Sequence, residues 1–173
     1  MRTPRMLVGL LAFPVVALAS TILPHTLAHR AELADRVALV QVLSQQTVPG
    51  SGKTPMKTLT RVAVGRDLKG RGPEQLTIVQ IGGVNGPERV QIPGDASFGP
   101  GETAVVFLKC KLAADRCHLV ALGEGKLELK GDTLLARDLF TGAWRQLTLD
   151  QLSVEIASGG APVVSPKPGG VTR

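Results

Sequence analysis

Tyrosine is absent from this chain of 173 residues, tryptophan occurs once, and phenylalanine four times. Proteins that hold single-stranded nucleic acid stack bases on several exposed rings. Past the first 20 residues only Phe98, Phe107, Phe140 and Trp144 are available. Phe107 lies inside an apolar run and is assigned to the core, so nucleic acid is not expected as a partner. Cysteine is nearly as scarce, with two residues. Cys110, Cys117 and His118 do not make a zinc spacing, and His118, next to Cys117 on a strand, points to the opposite face. There is no His-Glu-x-x-His and no Gly-x-Ser-x-Gly, so neither a zinc hydrolase nor a serine hydrolase elbow is present. Long apolar runs are lacking too. The longest, Met6 to Ala19, falls short of the roughly 20 residues a membrane span requires.

That short run has another use. Arg2 and Arg5 precede it, and Ala17-Leu18-Ala19 closes it with small residues before Ser20. Basic start, apolar centre and small-residue exit are the layout of a secretory signal peptide. Residues 1–19 are therefore read as a leader, with a second cleavage option after Ala28, and no membrane span is expected after cleavage. The mature protein is expected in the periplasm or outside the cell. Loss of Arg2 and Arg5 leaves 18 basic residues against 14 acidic ones. They are interspersed, as in Arg66-Asp67, Glu88-Arg89 and Asp115-Arg116, which fits a solvated surface better than a polyanion-binding stripe.

Hydrophobic content of 43% supports a real core. A helix is expected over residues 25–36, from Leu27, Ala31 and Ala34 at helical spacing. Strands are expected at 37–43, 57–66, 75–81, 89–92, 103–109, 117–122, 126–130 and 133–136, with a polar loop over 45–55. The strongest, around Ala104-Val105-Val106-Phe107-Leu108, is apolar on both faces and should be central. Thr148 and Gln151 have capping-box spacing, and predict a helix over 149–157. The Gly- and Pro-rich residues 159–173 read as a disordered tail. The fold class is thus mainly β: a small antiparallel barrel over residues 20–158 with a short N-terminal and a short C-terminal helix, an open sandwich being the runner-up.

The two cysteines flank Lys111 to Arg116. A four-residue loop closed by those two residues places Cys110 and Cys117 directly opposite each other, and an oxidising compartment would then join them. Other groupings carry less. Gly50-Ser51-Gly52-Lys53-Thr54 imitates a phosphate loop, but Thr47 stands where the first glycine belongs and Pro55 where the helix should begin. His25 and His29 share a helix face and could hold a metal only with help from Glu32 or Asp35. No catalytic, cofactor-binding or metal residues are assigned, and the chain is not expected to be an enzyme. Trp144 is expected to pack over the open end of the barrel.

The order of features resembles a diffuse group of uncharacterised secreted bacterial domains. It runs from a short helix and Val-rich strand at Ala31–Val42, through Leu68-Lys69-Gly70 and Gly82-Gly83, to the Phe-x-x-Gly-Glu lead-in of Phe98–Leu108. The resemblance covers roughly residues 26–157. Such domains are similar to the oligonucleotide/oligosaccharide-binding (OB) barrel in its netrin-like, metalloproteinase-inhibitor-like form, and some relatives precede a matrixin-type protease. The tissue inhibitors of metalloproteinases place an N-terminal cysteine on zinc. A mature chain starting at Ser20 cannot, so no site residues transfer. The resemblance implies a non-catalytic module engaging a protein or cell-envelope partner, or alternatively a regulator or inhibitor of an extracellular protease.

The leader reading generates a direct prediction: intact-mass measurement of the exported protein should give a chain beginning at Ser20. A product beginning at His29, or one retaining Met1, would overturn it.

Overall fold

The computed structural model describes residues 25–52, 54, 56–110, 115–137 and 142–159. The expected leader 1–19, the residues 111–114 between the cysteines, and the tail from 160 lie outside the described residues. Helix α1 spans Leu27–Leu33. The strands are β1 Arg36–Pro49, β2 Met56–Lys69, β3 Gln75–Ile81, β4 Gly83–Asn85, β5 Glu88–Val90, β6 Thr103–Cys110, β7 Arg116–Leu119, β8 Lys126–Lys130, β9 Thr133–Arg137 and β10 Trp144–Leu147. A 3-10 turn at Leu122–Gly125 precedes β8, and helix α2 spans Leu149–Ala157.

Five strands close on themselves in the order β1-β2-β3-β7-β6, with β6 returning to β1. The protein is mainly β, and its centre is a closed five-stranded barrel with one helix near each end of the described chain. An odd number of strands in a closed ring cannot alternate direction throughout. One neighbouring pair must be parallel, and it is β3 with β7, Thr77 opposite Arg116 and Ile78 opposite Cys117. The remaining ring pairings are antiparallel.

Strand β6 does more than close the barrel. One edge pairs with β1 along Thr103–Leu108. The other edge is divided: Ala104–Val106 pairs with β8 and Leu108–Cys110 with β7. Strands β8, β9 and β10 therefore continue the sheet away from the barrel. Alternation of side chains sends Val106 and Leu108 into the barrel, among Ala38, Val40, Val62 and Ile78. Val105 and Phe107 point the other way, into a second core with Leu27, Ala31, Leu134, Leu147 and Leu152. The apolar run that predicts a central strand is apolar on both faces because it serves two cores.

The local chemistry explains the element ends. Thr26 caps α1, its hydroxyl accepting from the His29 amide. The helix stops at Leu33 rather than continuing to Arg36, because Ala34 is extended and Asp35 is drawn to β6. The Asp35 amide donates to the Leu108 carbonyl, and its carboxylate accepts from Lys109 Nζ at 2.8 Å and the Cys110 amide at 2.9 Å. The hydrogen bond from Lys109 holds the Asp35 carboxyl below its ordinary pKa. Lys69 Nζ donates to the carbonyls of Ala31 and Ala34, orphaned at the helix end. Arg36 is buried and grips Asp67 with two guanidinium nitrogens and the Pro73 carbonyl with a third. For α2, Thr148 and Gln151 form the capping box their spacing predicts.

Several sequence expectations change; the strand expected over 117–122 is Arg116–Leu119, ending before the 3-10 turn, and β4 stands where only a turn is expected. The polar loop over 45–55 is shorter, because β1 runs to Pro49 and β2 begins at Met56, in register from Val48–Lys57 to Pro49–Met56. Gln45, Gln46 and Thr47 are polar because this hairpin arm is solvated, while their backbones remain in the ladder. In addition, β10 was not anticipated. The short strand over 89–92 is instead Glu88–Val90, paired with β4 in a hairpin of its own.

Cys110 and Cys117 are register partners on β6 and β7, with Cα atoms 4.2 Å and sulfurs 2.09 Å apart. The close Cα approach belongs to a non-hydrogen-bonded antiparallel pair. A bridge closing so short a loop should contribute about 2–3 kcal/mol. Replacing both cysteines by serine should lower the denaturant midpoint accordingly, and non-reducing peptide mapping of the oxidised protein should find one intrachain link. Two free thiols in exported protein would contradict this.

Candidate functional site

A cleft of about 400 Å³ lies where the outer face of the β8–β10 extension meets the start of α1 and the 3-10 turn. Its floor and walls include Arg30, Ala121, Leu122, Glu124, Arg137 and Trp144. The position of Trp144 follows from strand geometry. Leu147 is three residues on, and in a strand two residues three apart face opposite sides. Leu147 enters the second core, and Arg145 on the same face reaches Glu155 of α2. Trp144 and Gln146 are thereby turned outward. The indole is 67% exposed, which corrects the expectation that it packs over the barrel. The sequence reading places no strand after 133–136. Recognising β10 from its alternation, with Leu147 inward, would have placed the ring on the surface.

Opposite Trp144 across the strand pair stands Arg137, also exposed. On the other lip, Ala121 and Leu122 both adopt left-handed backbone angles, φ 55° and 54°. Such angles are costly for residues with a Cβ and persist only where the surroundings impose them. Here the Gly123 amide donates to the Gly94 carbonyl at 2.8 Å. A Cβ at Gly123 would come within 2.4 Å of that oxygen, and one at Gly125 within 2.2 Å of the Val120 carbonyl oxygen. The turn is held so tightly that only glycine fits at both positions, and Leu122 is forced outward, 42% exposed.

The base of the cleft is ionic. The buried Arg30 guanidinium donates to the carbonyls of His25 and Glu124 and lies 5.8 Å from the centre of the Phe107 ring. Burial pulls its pKa below the ordinary arginine value, while Glu124 and Glu155 oppose the shift. His25 Nδ1 is sealed from solvent without a hydrogen-bond partner, 3.6 Å from Glu124 Oε2. Lys126, behind this wall, pairs with Glu102 and lies over the Phe98 ring. None of Arg30, Glu124 or Glu155 stands out in sequence, because they converge from three separate elements.

Among the described residues no three His, Cys, Asp or Glu side chains group as metal ligands. The His25 and His29 rings stack with centroids 5.1 Å apart. His29 meets Glu32 at 3.4 Å, whereas Asp35 turns away to Lys109. His118 is exposed, with Nδ1 3.0 Å from the Val79 carbonyl oxygen, and faces away from the buried Cys117. Gly50, Ser51, Gly52 and Thr54 lie between β1 and β2, with Lys53 and Pro55 outside the described residues. Phe98 and Phe107 are buried, and Phe140 also lies outside the described residues. Other cavities among the described residues include one of about 280 Å³ beside Gln45, Thr58 and Gln80 and one of about 600 Å³ between α1 and α2.

Comparison with protein-family models finds no match, and comparison with curated proteins finds none.

The geometry separates two neighbouring roles. Trp144→Ala should change the unfolding free energy by less than about 0.5 kcal/mol, as for other surface substitutions. Arg30→Ala should cost about 3–5 kcal/mol, because it strips a buried charge network of its cation. Urea titration of both variants is the check; a large loss for Trp144→Ala would mean that the ring is part of the core.

Proposed function

We propose that this chain is an exported, non-catalytic binding module whose contact face is the Trp144 cleft, and that its partner is a protein or a component of the cell envelope. The observation that carries the reading is the outward placement of the only tryptophan, lining one cleft with Leu122 and Arg137. Tryptophan and arginine are among the residue types that most often anchor interfaces. Export rests on the leader pattern, and the cysteine pair at bonding distance is in keeping with an oxidising compartment. Cleavage after Ala19 is favoured over cleavage after Ala28, since the latter would remove the Thr26 cap and the buried Leu27 from α1. No helix among the described residues is long and apolar enough to cross a membrane.

The barrel itself favours a finer reading. A five-stranded ring whose third and fifth strands run parallel is the arrangement expected of an OB-type barrel, and a helix against its outer face is in keeping with the netrin-like form. That supports a second reading, regulation of an extracellular protease, which inhibition assays against matrixin-type proteases at micromolar concentration address directly.

The binding reading is tested by chemical cross-linking in the exporting cell, with wild type and a Leu122→Ser/Trp144→Ala double variant. A cross-linked species formed by wild type and reduced at least tenfold in the variant, at unchanged melting temperature, is expected. Equal cross-linking by both would reject the cleft as the contact face.

A further inference from the structure

We infer that the occupant of the Trp144 cleft is an extended peptide segment, which adds as a strand to the free edge of β10 and carries a carboxylate on the same face as an apolar side chain. The inference rests on the binding reading above and names the kind of partner. Three observations converge on it. First, among the described residues β10 ends the eight-stranded sheet and pairs on one side only, with β9. An unpaired edge offers backbone donors and acceptors to any extended chain laid beside it. Second, the side chains on the outer face of that edge are Trp144 and Gln146, so an added strand would lay alternate residues against the indole that walls the cleft. Third, the charge at the cleft is unequal. Glu124, its acidic wall residue, is already engaged: its carboxylate accepts from the backbone amide of His25 and its carbonyl from Arg30 of α1. Arg137, on the far side of the indole, has no ion pair among the described residues. A segment with an acidic residue two positions from an apolar one would meet Arg137 and the cleft together.

A concave, edge-flanked site favours a chain over a lipid surface, which would need a convex or flat apolar face. The sole tryptophan of the chain makes the test specific to this place. Burial of the indole on binding shifts its emission to shorter wavelength without a label.

The probe is a displayed library of random linear heptapeptides, panned on the exported protein, followed by synthesis of the most enriched sequence. Enrichment of Asp or Glu two positions from an apolar residue is expected, with a blue shift of Trp144 emission on titration. Arg137→Glu should weaken the acidic peptide at least tenfold, with melting unchanged. N-methylation of the peptide at alternate residues of one parity should abolish binding, and at the other parity leave it intact, since only one set of amides faces an added strand's neighbour.

Tolerance of both methylation sets, or binding indifferent to Arg137→Glu, overturns the inference. So does a blue shift with vesicles of equal phosphatidylglycerol and phosphatidylcholine but with no enriched peptide. Failure of the broader reading looks different. If no peptide is enriched while the cross-linked species still depends on Leu122 and Trp144, the peptide inference falls and the binding face stands. If the cross-link is equally indifferent, both fall.

Discussion

Strand β6 is the element on which the rest depends. Ala104, Val105, Val106, Phe107 and Leu108 are all buried, alternately into the barrel and into the helix-covered outer core. Hydrogen bonding is just as concentrated, since β1 takes one edge while β7 and β8 divide the other. A closed barrel has no free edge, so an extra sheet can attach only where a ring strand leaves part of its edge unpaired. β7 is short, and the first half of β6 is left for β8. The extension, its terminal edge strand and the cleft beside it all follow from that division.

The outer core then fixes what the extension presents. Leu134, Ala136 and Leu147 pack inward with α1 and α2, which determines the parity of β9 and β10. Once Leu147 is inside, Trp144 is outside. The buried Arg30, held by the carbonyls of His25 just before α1 and of Glu124 in the 3-10 turn and attracted by Glu124 and Glu155, ties helices and turn into one frame. A buried ionic network of this kind is weak evidence of added stability, but it discriminates strongly between alternative packings, because any shift leaves a charge unmatched. The result is a cleft whose exposed groups are Trp144, Leu122 and Arg137.

Much of this was legible in the chain. Strands β3 and β8 and helix α2 have the bounds that alternation and the capping box predict, and the cysteine pair falls in the register that its loop length implies. These are local properties: side-chain period, cap chemistry and turn length act within a few residues of one another. The polar hairpin arm around Gln45 misled because polarity was taken for irregularity, whereas backbone pairing does not depend on side-chain character.

What the sequence determined by itself is therefore the mainly β class, the central strand, the two helices and the opposition of Cys110 and Cys117, since each is written in neighbouring residues. What only the tertiary structure decided is ring closure with its one parallel pair, the sharing of β6, and the surface fate of Trp144. Arg30, Glu124 and Glu155 are far apart in sequence and meet because two cores are packed against one strand. The orientation of the indole is set by Leu147 finding a place among residues from α1, β6 and α2. Those contacts are long-range, and no period or motif within a single segment encodes them.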